Sequence, residues 1–450
     1  MPDLGVVLLP LAAAVIAATV YAIYRGLDVR LALLVAAFAL AGLGGDVAPV
    51  VHEFLATFSN EKFVVPICTA MGFAYVLRHT ECDQHLVRLL TRPLRSARLF
   101  LIPGVVVVGF LVNIPVISQT STAVCLGAVV VPLMRAARLS SVTIGASLLL
   151  GASIGGELLN PGAPELNSVG QRLGVSSTQI VPEVVPVVFP HLAVATAIFW
   201  VLCLRAERRA VAEAAVTPVA DGLASPAPEF RVNLLRALVP LLPLVLLFLA
   251  GPPLNVIRVP ERWLVSPKES SYETRLIGAA MLVGVLAAAL AHPARIRGVA
   301  KAFFDGAGYA FAEVISLIVT ASCFGKAVEQ IGLAALIGEA IQRVPELLIP
   351  VAGFVPLGFA ALSGSGMAAT QSLYGFFVDP ATAVGADPKQ VGAVVSVGAA
   401  AGRTMSPVAA VALMSAKLAG TDSFQLARRV AGPLLISLAV IIALRMSRLM

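Results

Sequence analysis

Between residues 141 and 171 the chain is apolar enough to cross a bilayer, yet "GASIGGELLNPGAPEL" interrupts it from Gly151. Between residues 389 and 418 a second such stretch is interrupted by "GAAAGRTMSPVAAVAL" from Gly398. A Gly-rich run followed by Pro breaks the helical hydrogen-bond ladder. In hydrocarbon each backbone group left without a partner costs several kcal/mol, so broken backbone at membrane depth survives only inside protein or against a polar cavity. Two such breaks in one chain demand an interior organised around them.

The rest of the composition agrees with that setting. Of 450 residues, 58% are hydrophobic and only 13% charged, with a mean hydropathy of +0.92, against roughly 25% charged in a soluble domain. The apolar runs are continuous Leu, Val, Ala and Gly without alternation, which reads as membrane helices and excludes porin-type strands. Candidate spans cover residues 4–24, 31–45, 62–78, 181–204, 233–253, 275–292, 303–325 and 430–447. The N-terminal run lacks a basic leader and is followed by Arg25 and Arg30, so it reads as a first span rather than a cleaved signal peptide.

A formal charge of +7 raises nucleic acid as a partner. The basic residues form short clusters beside apolar runs instead of one stripe, which fits orientation in a membrane and argues against nucleic-acid binding. The five Cys, at 68, 82, 125, 203 and 323, are odd in number and show no C-x-x-C, so neither a disulfide framework nor a metal site is expected.

Two further regions, 99–135 and 345–377, are apolar on both flanks and polar in the middle: "NIPVISQTSTAV" from Asn113 and "LSGSGMAATQS" from Leu362. Flanks of roughly 15 residues are short for a full crossing, so each reads as a re-entrant hairpin. Residues 205–232, rich in charge, Pro and Ala, read as a cytoplasmic linker between two halves, 1–204 and 233–450. Each half then contains three spans, a hairpin, an interrupted span and a final span. The distance from Ser118 to Pro161 is 43 residues, and from Ser363 to Pro407 it is 44. On this register Gly156 faces Gly402, Glu157 faces Arg403 and Asn160 faces Ser406. Both breaks also carry a G-x-x-x-G, Gly151/Gly155 and Gly398/Gly402, which admits a close-approaching backbone. Five crossings per half give the halves opposite orientations. With the N-terminus outside, most Lys and Arg fall on the inner side, in keeping with the positive-inside rule. The expected fold is all-α and polytopic, with two inverted repeats and about ten transmembrane helices, two of them discontinuous. "HLVRLLTRPLRSAR" before the first hairpin and "LAALIGEAIQRV" before the second are amphipathic and suit the membrane interface.

Opposed hairpins and broken helices in inverted repeats mark secondary transporters with a midplane site. Broken helices expose N–H groups and dipole ends, while hydroxyls and carbonyls supply oxygen ligands. The candidate binding residues are therefore Ser118, Gln119, Thr120, Ser121 and Thr122 at the first tip and Ser363, Gly364, Ser365 and Gly366 at the second. Asn160 and Pro161 at one break and Arg403, Thr404, Ser406 and Pro407 at the other complete the set. The tips could also hold a coupling Na⁺; H⁺ is the other coupling ion to consider, and no cofactor is implied. Arg403, costing about 2.5–3.5 kcal/mol at a helix centre, has three readings: a fork for a substrate carboxylate, a pair with Glu157, or snorkelling to the interface. Glu313 and Glu165 are each either a proton relay or a hydrogen-bonded vestibule carboxylate. One enzymatic alternative exists: "GASIG" matches G-x-S-x-G, and Ser153 with His191 would form an intramembrane serine protease dyad. The equivalent run in the second half has Ala399 and Ala400, so the break matters more than the serine. No Walker pattern is present.

"GRTMSPVAAVALMSAKLAG" followed by "SFQLARRVAGPLLISLAVIIALRM", together with "GFAYVLRHT", "LVRLLTRPL" and "LSGSGMA", resembles the anaerobic C4-dicarboxylate carrier family of DcuC type, within the ion transporter superfamily. The resemblance implies movement of succinate, fumarate and related dicarboxylates across a bacterial inner membrane by ion coupling or exchange. It also implies a homodimer in which hairpin-bearing transport domains move like elevators against a scaffold. The first tip, "SQTSTAV", departs from the smaller Ser-Ala-Thr-Gly run of that family at Gln119. A carrier of another organic or inorganic anion in the same fold is the alternative.

Overall fold

The computed structural model describes residues 3–92, 100–214, 231–250, 256–265, 272–332, 339, 341 and 343–449. All secondary structure among them is helical. The chain begins with α1 (Asp3–Tyr24), α2 (Val29–Leu43), the short α3 (Ala48–Phe58) and α4 (Glu61–His79). α5 (Cys82–Thr91) then turns away from α4 by 76°. A hairpin of α6 (Leu101–Asn113) and α7 (Gln119–Ala136) leads to the first broken helix. That helix consists of α8 (Ser141–Ser153), a 3₁₀ turn at Gly156–Leu159, and α9 (Pro164–Leu173), followed by α10 (Val181–Ala214).

The remaining chain holds α11 (Leu234–Leu238), α12 (Leu242–Ala250), α13 (Glu261–Leu264) and α14 (Tyr272–Ala291). α15 (Val299–Ala310) and α16 (Ser316–Gln330) are joined by a π-helical turn at Phe311–Ile315. The second hairpin is α17 (Leu348–Ser363) with α18 (Gly366–Leu373) and α19 (Gly375–Ala383). The second broken helix is α20 (Pro388–Thr404) and α21 (Ala410–Ala419), and α22 (Ser423–Leu449) closes the chain.

Among the described residues, seven helical segments are long and apolar enough to cross a membrane, or eight if α4 and α5 count as one bent span. Leu286, Leu290 and Phe304 are exposed on the outside of this bundle, as a lipid-facing surface requires. The chain is a multi-pass membrane protein.

Four features of the helices differ from the sequence expectation. α10 continues to Ala214, ten residues beyond the expected end of its span. "RAERRAVAEA" is rich in strong helix formers, and Glu207 accepts hydrogen bonds from Ser140 Oγ and Thr143 Oγ1. The linker thus begins later than residue 205, and residues 215–230 of it lie outside the described set. The second hairpin runs on to Ala383 through α19. α7 is also longer than expected, with 18 residues. α3 was not anticipated: it carries His52 and Glu53 and is held by packing on α16. Finally, α5 carries most of the described part of the basic amphipathic stretch; residues 93–98 of it, and 333–338, 340 and 342 of the second, lie outside the described set.

Glycine explains how the breaks are packed. α6 lies on α8, and α17 on α20. A Cβ at Gly156 would come within 2.4 Å of Phe110 O, and one at Gly402 within 2.1 Å of Leu357 O. No other residue admits these backbones. Gly155 serves differently from its expected role in G-x-x-x-G: its φ of +112° makes the turn itself, a conformation closed to other residues. The second arm of each broken helix packs on the other hairpin, α9 on α18 and α21 on α7. This crossing brings both tips and both breaks together.

Candidate functional site

Four helix N-termini converge on one cavity of about 250 Å³. The first tip contributes Ser118, Gln119 and Thr120 at the start of α7, and the second Gly364, Ser365 and Gly366 at the start of α18. The first break adds Pro164 and Glu165 at the start of α9; the second adds Arg403 and, at the start of α21, Ala409 and Ala410. Tyr309 and Glu313 line it from α15 and the π turn. Ser118 Oγ accepts from Ser121 N at 3.3 Å and Ser365 Oγ from Ala368 N at 3.2 Å, so each tip serine caps its helix. α9 and α21 have no side-chain cap. α21 therefore presents its first N–H groups and dipole end to an anion, while α9, which opens on Pro164 and lacks that N–H, presents its dipole end.

The remaining predicted residues support this cavity without lining it. Thr122 Oγ1 donates to Val116 O at 3.1 Å, and Ser121 is buried behind the tip. Asn160 ties the break to the tip: Nδ2 donates to Ile114 O at 2.8 Å, while Oδ1 accepts from Gly162 N at 2.9 Å. Pro161 O accepts from Ser177 Oγ at 2.7 Å. Asn113, which the sequence reading passed over, does the same work. Its Oδ1 accepts from Glu157 N at 3.1 Å and its Nδ2 donates to Val116 O at 3.0 Å. At the second break, Ser406 N donates to Arg403 O at 3.1 Å, but its buried Oγ has no protein partner. Pro407 is half-buried beside it. Ser363 lies in an adjoining cavity of about 300 Å³ that shares Ser365 and Glu313 with the central one.

Arg403 is held by two carboxylates. Its Nη2 donates to Glu157 Oε1 and, at 3.0 Å, to Ser153 O; Nη1 donates to Glu165 Oε1 at 3.2 Å, and Nε to Ser153 Oγ at 3.3 Å. Thr404 Oγ1 donates to Ser153 O at 2.7 Å, so this threonine fastens the two breaks together and does not face the cavity. Of the three readings of Arg403, the pair with Glu157 is present, joined by Glu165, and snorkelling is excluded because the side chain is 7% exposed. Glu157 is fully buried, and its second oxygen has no protein partner. The cluster sets two acids against one base in a region where an unbalanced charge costs several kcal/mol.

Glu313 pairs with Arg30 at 3.4 Å. Arg30 Nη1 also donates to Ala312 O at 2.8 Å, inside the π turn, a deformation that recurs at functional sites. A separate polar cavity of about 280 Å³, containing Arg172, Lys326 and Asp379, holds none of the predicted residues. For a coupling Na⁺, the oxygens within reach are the tip hydroxyls and carbonyls. The Ile114 and Val116 carbonyls already accept side-chain bonds.

The protease geometry is absent. His191 Nδ1 is bonded to Ser437 Oγ at 2.9 Å, whereas Ser153 Oγ is taken by Arg403 and Thr404. A polytopic helical protein with a polar cavity at two helix breaks belongs to the class of membrane carriers, not enzymes. The sequence comparison places it within that class. The chain belongs to the C4-dicarboxylate anaerobic carrier family, DcuC, which it matches over residues 60–448. It is also similar to two Haemophilus influenzae proteins, each described only as an uncharacterized transporter. One is 32% identical over 130 residues, 29% of this chain and 90% of that protein. The other is 29% identical over 200 residues, 44% of this chain and 68% of that protein.

Proposed function

We propose that the protein is a secondary active carrier of succinate, fumarate and similar C4-dicarboxylates across the bacterial inner membrane, driven by ion coupling or exchange. The observation that carries this reading is the convergence of four helix N-termini on one small cavity beside Arg403. Dipole ends and uncapped N–H groups favour an anion. The volume lies below the roughly 300–1,000 Å³ of pockets for drug-sized ligands, which suits a four-carbon diacid. The tip hydroxyls can donate to one carboxylate while the other faces Arg403.

In this reading residues 1–204 and 233–450 are inverted repeats, each contributing one hairpin and one discontinuous helix among about ten crossings. The matched spacing of tips and breaks supports that division. A homodimer with elevator-like transport domains follows from the family architecture. Uptake of labelled succinate into proteoliposomes, with Na⁺ and pH gradients imposed separately, tests the reading; no dicarboxylate movement under any gradient refutes it. Gln119 at the cavity favours one second reading, a carrier of another anion in the same fold. A thermal-shift screen separates the two, because a ligand that binds only the folded state raises stability by mass action.

A further inference from the structure

The excess of acid over base around Arg403 has to be balanced by something, and the geometry indicates which group changes. Glu157 is fully buried, does not line the cavity and holds Nη2 together with Ser153 O. Glu165 lines the cavity and holds Nη1 at 3.2 Å. Nη1 is also the guanidinium nitrogen turned toward the second tip, since a Cβ at Gly366 would lie 3.3 Å from it. One side of the Arg403 fork is thus locked inside the protein, and the other opens on the cavity with a carboxylate already in place.

From this arrangement we infer that Glu165 occupies the substrate-carboxylate position in the empty carrier and leaves it by taking a proton, so that transport is coupled to H⁺. The inference rests on the dicarboxylate reading of the same cavity. With both glutamates ionised, the cluster carries one net negative charge. Protonating Glu165 at its carboxylate oxygen releases Nη1, and one substrate carboxylate replaces it there. The charge around Arg403 is the same before and after, so the arriving anion meets no added repulsion at the fork. When the substrate leaves, the proton returns to water and Glu165 closes on Nη1 again.

The other charged and titratable groups facing Glu165 do not serve. Glu157, on the 3₁₀ turn, has no access to the cavity. Glu313, across the cavity on the π turn, is half-exposed and has its own cation in Arg30. Tyr309, on α15, is a neutral phenol and brings no charge to balance the cluster. α4 and α18 contribute Met71 and Met367 to the wall.

The test uses the full-length protein and the variants Glu165→Gln and Glu165→Asp. In vesicles, wild type should accumulate labelled succinate under an inwardly directed proton gradient. Glu165→Gln, which copies the protonated form, should lose that accumulation, and its succinate–succinate exchange should no longer fall with rising pH as that of wild type does. Glu165→Asp should retain gradient-driven uptake. Accumulation by Glu165→Gln equal to wild type overturns the inference, as does exchange in Glu165→Gln that keeps the wild-type pH dependence or is lost altogether while the variant remains monodisperse. A second measurement needs no substrate. The infrared difference spectrum between acid and alkaline buffer should show a protonated-carboxyl band that disappears in Glu165→Gln and persists in Glu313→Gln; a band unchanged in Glu165→Gln refutes the assignment. If wild type moves no dicarboxylate at all, the substrate reading fails, and the infrared measurement still decides the role of Glu165.

Discussion

The two broken helices use the same backbone device and carry opposite charge. The first presents Glu157 and Glu165, the second Arg403, and each is anchored by a hairpin arm lying on glycine. They differ in how the break is secured. Asn113 and Asn160 tie the first break to its hairpin through two hydrogen bonds, and a third from Asn113 holds the hairpin tip itself. At the second, Ser406 Oγ is buried without a protein partner, and the fastening is to the first break, through Thr404 and Arg403 onto Ser153. The first break is therefore a self-supporting frame, and the second is held by what it docks against. A pair of breaks with like charge could not latch this way, since both would repel across a dry interface.

This contrast can be broken most severely at Arg403. Arg403→Leu leaves two carboxylates buried without a base and should destabilise the protein by about 3–5 kcal/mol. Thermal unfolding in detergent would show a large drop, and a variant as stable as wild type would contradict the latch. Removing a close approach comes next. Gly402→Ala places a methyl against Leu357 O, and the resulting backbone shift should cost about 1–3 kcal/mol; Gly156→Ala should cost as much at the first break. The asymmetry predicts a further difference: Asn160→Ala should cost roughly 1–3 kcal/mol through lost buried hydrogen bonds, whereas Ser406→Ala should be close to neutral. Equal losses in these two would erase the distinction between the breaks. The smallest effects belong to the tips. Ser118→Ala and Ser365→Ala each remove a helix cap and should cost about 1 kcal/mol, with similar values because each serine accepts from the N–H three residues further on.

Much of this architecture was legible because it rests on local chemistry. Apolar length marks the helices, and Gly-rich runs before Pro mark the breaks. The spacing of 43 and 44 residues set Glu157 opposite Arg403, and the two are bonded. What was not legible depends on packing between distant segments. Glu165 reaches Arg403 only because α9 crosses to α18 and α20. Thr404 and Ser406 read alike as polar residues at a break, yet one fastens Ser153 and the other has no protein partner. Gly155 and Gly156 are adjacent, and sequence alone does not say which of them makes the turn and which makes room for Phe110. α3 has no apolar periodicity strong enough to declare itself and is held by α16.

The central claim is that the cavity between the breaks binds a dicarboxylate through the open side of the Arg403 fork. Succinate counterflow tests it most directly, because exchange of labelled for unlabelled substrate in preloaded vesicles needs no ion gradient. Wild type should show a transient overshoot of label. Arg403→Lys keeps the charge but loses the planar fork, and should lose the overshoot while remaining folded. An undiminished overshoot in Arg403→Lys, or its absence in wild type, would contradict the account.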